Sequence, residues 1–304
     1  MSEISRIGTL AIYNNAINNS NRSKVNLANL QDQLSSGLKG RDFEAYNGQV
    51  EQLVGLEKEV KRVQMYLDNN AETSTRLTAV EKGLDQAYLV AEDAKKLFTL
   101  RNNPAFAGNP TFEIQMKAAI QNMAKELNAN IAGRYLFGGT TTDTPPVIDN
   151  PVPTSFVIGV ADDGYYKGSK QNVVTRVQDG FDLEYDVRAD DPAFQKYFAA
   201  LSLGLEGHAQ NNTEKLTKAQ NMMDSSIKEI NALASRVQTK RANVDNIITK
   251  QKDTKLYFTS VAGEITSADT VAVASKVAID QATLTATFQI FSRISSLNLA
   301  DFLR

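Results

Sequence analysis

Chemistry in this sequence would first be sought at one histidine, a run of acidic residues and three closely spaced glycines. His208 lies in Gly204-Leu205-Glu206-Gly207-His208-Ala209-Gln210, where an imidazole could serve a catalytic triad or a metal. The chain has no second histidine and no cysteine to share either task, and the flanking glycines read as a solvated loop. Asp179, Asp182, Glu184 and Asp186 could supply the two carboxylates of a glycosidase. The last three, however, alternate with Phe181, Leu183, Tyr185 and Val187, so on a strand they would face solvent together. Gly133, Gly138 and Gly139 are not followed by the Gly-Lys-Ser/Thr of a phosphate loop, nor set in a parallel βαβ unit, so they read as turns. The absence of cysteine excludes disulfides, thiolate metal sites, thiol catalysis and iron–sulfur clusters. No catalytic, cofactor-binding or metal-binding residue emerges, and a chain that is not an enzyme and carries no cofactor is expected.

With 33 Lys+Arg against 35 Asp+Glu, a net charge of -2 offers no basic field for nucleic acid or an anionic membrane. The segment Met1-Ser2-Glu3-Ile4-Ser5-Arg6-Ile7-Gly8 lacks the basic and apolar blocks of a cleavable signal. No stretch approaches the roughly 18 apolar residues of a membrane helix. A soluble protein, exported if at all by another route, is expected.

The elements that must carry a function are mostly helical. All seven prolines fall between residues 104 and 192, which leaves both outer thirds free for long helices. Leu53, Leu56, Val60, Val63 and Leu67 follow steps of three and four, and after Asp68-Asn69-Asn70 the series Leu77, Val80, Leu84, Ala87, Ala91, Ala94 and Phe98 does the same. The two registers differ by three residues, which predicts one long helix with a local slip. A second helix starts near Thr111, with Met116, Ile120, Met123, Leu127 and Ile131 on one face, and ends at Gly133 or at Gly138-Gly139. Leu216, Met223, Ile230, Val237 and Val244 recur every seven residues in a third.

Between them the period changes to two. Val173, Thr175 and Val177 alternate with Val174, Arg176 and Gln178, and Asp179-Gly180 separates them from the Phe181 to Val187 run, which predicts a hairpin with a type I′ turn. Phe156 and Ile158, with Tyr165 and Tyr166, suggest a second hairpin. Asp191 can cap a helix that has Pro192 at its first position and Phe194, Phe198 and Leu201 on one face.

Both ends are apolar, unlike the polar, frayed ends of most domains. Ile4, Ile7, Leu10, Ile17, Leu27, Leu30 and Leu34 line the first segment, and Val273, Val277, Leu284, Phe288, Phe291, Ile294 and Leu297 the last. Each end needs a partner, and the simplest is the other end. The expected fold is mainly α: a long antiparallel helical bundle or coiled coil with paired terminal helices and a small inserted antiparallel β domain. The expected division is 1–40 with 264–304 as a terminal assembly domain, 41–139 with 193–263 as the bundle, and 140–192 as a β-rich outer domain. The assembly interface is assigned to Ile4, Ile7, Leu10, Ile17, Leu27, Leu30, Leu34, Val277, Leu284, Phe288, Phe291, Ile294 and Leu297.

This order resembles the flagellin superfamily. Leu27-Ala28-Asn29-Leu30-Gln31-Asp32-Gln33-Leu34-Ser35-Ser36-Gly37 looks like that family's first helix and its Leu-Ser-Ser/Thr-Gly ending. Gly133-Arg134-Tyr135-Leu136-Phe137-Gly138-Gly139 resembles the hook–filament junction branch, as does the Leu-rich Ser295-Ser296-Leu297-Asn298-Leu299-Ala300-Asp301-Phe302-Leu303. Ile265-Thr266-Ser267-Ala268-Asp269 looks like the carboxy-terminal motif. One departure is the loop Leu38 to Tyr46, which lacks the family's usual Ser and Asp-Asp pair and blurs the choice between junction protein and filament flagellin. The resemblance implies a secreted, extracellular structural subunit of the bacterial flagellum that forms a helical array with its own copies. Its implied partners are a hook-side adapter, filament flagellin, the export machinery and a secretion chaperone, with no nucleic acid and no membrane insertion. The alternatives are filament flagellin itself and, in a different class, an adhesin mounted on a helical stalk.

Overall fold

The computed structural model of the chain describes residues 2–46, 48–101, 103, 111–149, 151, 162–185 and 187–302, and the side chains among residues 14–293 of these. Six helices carry most of them: α1 (Ser2–Ser36), α2 (Val50–Arg101), α3 (Thr111–Leu127), α4 (Pro192–Ala209), α5 (Thr213–Thr266) and α6 (Thr270–Phe302). Two antiparallel hairpins complete the order, β1 (Asn130–Ile131) with β2 (Arg134–Tyr135) and β3 (Val174–Gln178) with β4 (Phe181–Glu184). The architecture is the expected mainly α one with a small β insertion. By packing, the chain forms two compact units, Met1–Arg62 with Thr254–Arg304, and Val63–Asp253.

In the second unit α2 and α5 run antiparallel. Lys95 meets Asp224 at 2.8 Å, Arg241 meets Glu81 at 2.8 Å, Ser74 donates to Asp245 at 2.7 Å and Asn70 donates to Gln251 at 2.9 Å. Each step along one helix is matched by a step back along the other. This register sets Leu77 level with Val244, Leu84 with Val237, Ala91 with Ile230 and Phe98 with Met223, all of them buried.

The expected slip in α2 is absent. Val63, Asn70, Leu77, Leu84, Ala91 and Phe98 are all buried at strict seven-residue spacing, and so are Tyr66, Thr73, Val80, Ala87 and Ala94. The polar Asn70 and Thr73 occupy core positions, and for that reason the apolar pattern looked broken there. Asn70 is held by its own bonds: its Nδ2 donates to the Val177 carbonyl and to Gln251 Oε1, both at 2.9 Å. Gln251 Nε2 donates to the same carbonyl at 2.8 Å. Two buried amides thus fix the helix register and seat β3 beside both helices.

The β3–β4 hairpin shares the core of this unit, with Val177 fully buried and Leu183, Tyr185 and Val187 nearly so. Its turn is not type I′, since Gly180 has φ +70° and Asp179 is not left-handed. A bulge between Arg176 and Gln178 takes up the difference, while Tyr66 donates to Asp179 at 2.6 Å. Positive φ at two successive turn residues occurs instead at Ala132 (50°) and Gly133 (80°), between β1 and β2. Ile131 therefore belongs to β1, half exposed, and α3 ends earlier, at Leu127. Phe156 and Ile158 lie outside the described residues. Tyr166 pairs as a single bridge with Val147.

Asp191 caps α4 as expected, accepting from the Ala193 amide at 3.0 Å with Pro192 next. The loop expected at Gly204–Gln210 is instead the last turns of α4. Gly204 lies against Phe98 and Met116 so closely that an added Cβ would stand 2.6 Å from Met116 Cε and 2.7 Å from the Phe98 ring. Here glycine lets helices approach; it does not end one.

Candidate assembly surface

The two ends meet in the first unit. α1 and α6 pack against each other and run antiparallel, Leu30 lying near Ile279 and Ile17 near Phe291. Ile17 and Phe291 line one shared hollow, and Leu30 and Ile279 another nearer the connection. Lys24 Nζ lies 5.4 Å from the Phe288 ring centroid.

A short clasp joins the bases of the pair. α1 stops at Gly37, whose φ of +71° suits glycine and whose amide returns to the Gln33 carbonyl at 2.8 Å. The chain then bridges to the turn between α5 and α6. Leu38 pairs with Ser267, the Lys39 amide donates to Thr266 O at 2.8 Å, and the Ala268 amide donates to Gly37 O at 2.8 Å. Lys39 Nζ adds a bond to Ile265 O at 2.7 Å. Asp269 caps α6, accepting from the amides of Val271 and Ala272 at 3.1 and 3.0 Å. Tyr46, Leu53 and Ile265 close a small core beneath. The Leu-Ser-Ser-Gly and Ile-Thr-Ser-Ala-Asp segments, 228 residues apart from Gly37 to Ile265, are thus bonded directly to each other.

The predicted interface residues divide into groups. Leu284 is buried, and Ile17, Leu27, Leu30, Val277 and Phe291 are half-buried. Leu34 and Phe288 are exposed, Phe288 at the rim of the hollow it shares with Ile17 and Phe291. The side chains of Ile4, Ile7, Leu10, Ile294 and Leu297 lie outside the described ones.

The sequence pattern missed a second apolar stripe on α6. Val273 and Leu284, eleven residues or three helical turns apart, are 6% and 8% exposed. Ile279 and Ile290, also eleven apart, are 63% and 56% exposed. Two stripes on one helix require two partners, and α1 buries only one of them: Ile279 reaches the rim of the hollow it shares with Leu30 but stays largely exposed. Val25 on α1 and Val271 on α6 are also exposed. The signal was available, because Ile279 and Ile290 stand off the Val273, Val277, Leu284 stripe by about a third of a turn or more at 100° per residue.

The acidic run is taken up structurally. Asp182 forms a bidentate pair with Arg176 at 2.8 and 3.3 Å, and that bond holds its carboxyl below the usual range, the opposite of a general acid. Glu184 accepts from Asn172, Asp179 from Tyr66, and Asp186 lies outside the described residues. Among the described residues, no helix is long and apolar enough to cross a membrane.

Residues 7–142 match the family described as the bacterial flagellin N-terminal helical region. Among solved structures, the chain is similar to a Vibrio parahaemolyticus protein assigned as a flagellar hook-associated protein. The identity is 18%, the TM-score 0.58, and the match covers 71% of this chain and 96% of that one. It is similar also to Bacillus cereus FlgL, at 14% identity and TM-score 0.56 over 68% of this chain and 98% of that one. These two likenesses are of fold. No curated protein sequence matches significantly.

Proposed function

We propose that this chain belongs to the flagellin superfamily, that it is a non-enzymatic structural subunit of the bacterial flagellum, of the hook–filament junction type, and that it assembles through its paired terminal helices. The observation that carries this is the second stripe of α6: Ile279 and Ile290 lie more than half exposed on a helix whose other apolar face is already covered. Such a face is a liability on a lone chain and is removed from water when a neighbouring copy packs on it. A head-to-tail contact whose rotation does not close gives a helical array, which suits a ring or tube of repeated subunits.

In this reading residues 1–40 and 264–304 are the assembly segment, and the thirteen predicted interface residues serve it on both sides: Leu284 and its neighbours hold the pair, while Leu34 and Phe288 face other subunits. Residues 140–192 are carried by the bundle. One rim of the array meets a hook-side adapter and the other filament flagellin. The subunit is exported and works outside the cell, with the export machinery and a secretion chaperone as transient partners. The cysteine-free composition suits passage as an unfolded chain. Labelling the protein in purified flagella and imaging them tests the assignment. A single narrow band between hook and filament is expected, and label spread along the filament would make it a filament flagellin.

A further inference from the structure

The sole histidine is built into the second unit, where the end of α2 meets the turn between α4 and α5. Arg101, the last residue of α2, is buried, and its Nε donates to His208 Nδ1 at 2.7 Å. Its Nη2 donates to Asn211 Oδ1 at 2.9 Å. Asn211 sits in the tight turn between α4 and α5 with φ +49°. Phe112 of α3 lies against the imidazole, with ring centroids 4.7 Å apart. A ring nitrogen that accepts from a guanidinium carries no proton, so this contact requires the neutral imidazole with its hydrogen on Nε2.

Among the described residues, the charged groups around the ring are few. α2 presents Arg101; α3 presents Glu113, which is tied to Lys117 at 2.6 Å; α4 presents Glu206, which is tied to Lys215 of α5. Residues 102–110 contain no ionisable side chain. Burial and then the Arg101 charge push the His208 pKa down, and Glu113 opposes them without reversing the direction.

We propose that Arg101, His208 and Asn211 form a proton-operated clasp that ties the end of α2 to the α4–α5 turn near neutral pH and releases it on mild acidification. Protonation at Nδ1 removes the acceptor and sets an imidazolium against a guanidinium at hydrogen-bonding distance. The freed Arg101 then no longer holds Asn211, and the turn loosens. The sign follows from linkage: the folded chain binds this proton more weakly than the unfolded chain. The contribution of the clasp is therefore complete above the unfolded value and is lost as pH falls through the lower folded value.

The chain has one histidine, so its imidazole C2 proton can be followed by NMR in the full-length wild-type protein without assignment by mutation. The expected titration midpoint lies below that of the same chain in concentrated urea. A midpoint equal to or above the urea value overturns the proposal. Hydrogen exchange gives the second readout, using His208→Gln, whose amide oxygen can accept from Arg101 but does not titrate. Corrected for intrinsic rates, protection of residues 206–213 should fall about tenfold from about pH 7.5 to about pH 5 in the wild type, and less than about twofold in the variant. An equal loss in both overturns it.

Discussion

Replacing Asn70 by alanine tests how the hairpin is seated on the two long helices. Asn70 Nδ2 serves two acceptors, the Val177 carbonyl and Gln251 Oε1, both at 2.9 Å. After the change the carbonyl keeps the Gln251 amide at 2.8 Å and is still paired. Gln251 Oε1 loses its donor in a site where the residue is only 9% exposed, and an orphaned acceptor there costs about 1–3 kcal/mol. Part is offset, because Asn70 Oδ1 has no partner to lose. A net loss of about 1–2 kcal/mol results once a small void is included. Urea unfolding followed by circular dichroism gives the stability, and hydrogen exchange at residues 174–184 should show the hairpin opening first. The refuting test is a double-mutant cycle with Gln251→Ala: the two losses should couple by about 0.5 kcal/mol or more. Simple additivity, or a loss under about 0.5 kcal/mol for Asn70→Ala alone, would mean that the amides do not act together.

Gly204→Ala should destabilise by about 1 kcal/mol or more despite alanine's better helix propensity, because the new methyl group meets Met116 and the buried ring of Phe98; a rise in thermal midpoint would contradict the close-packing argument. Leu284→Asp and Phe288→Asp should separate the two sides of the terminal pair. The first puts a charge into the α1–α6 seam and should reduce helical signal, whereas the second lies 52% exposed beside Lys24 and should leave the melting curve of the lone chain unchanged. Equal destabilisation by both would place Phe288 in the seam.

Much of the architecture was legible because long helices repeat their pattern many times. Leu216 to Val244 and Leu77 to Phe98 declare the buried faces of α5 and α2, and Asp191-Pro192 declares the start of α4. The misreadings share a cause, a residue whose type answers to a tertiary neighbour. Asn70 looked like a break because its bonds lie with Val177 and Gln251, more than 100 residues away. Gly204 looked like a loop because the Phe98 and Met116 side chains that require it are on other helices. Gly180 has the expected positive φ, but Asp179 answers to Tyr66. At the assembly surface the seam was readable as a stripe, and the spacing of Ile279 and Ile290 off that stripe was also there to be read. A stripe search keeps the strongest apolar face and passes over a second, whose meaning emerges once α1 is seen to cover the first.

That second face is where the account is most directly tested. Ile279→Asp with Ile290→Asp places two charges on the outward stripe, at positions that are 63% and 56% exposed. The variant is expressed as the sole copy in a flagellated cell, and its amount in purified flagella is measured against the wild type. The prediction is a chain with unchanged helicity and thermal midpoint that is missing from the flagella. Incorporation at the wild-type level would contradict assembly through this face.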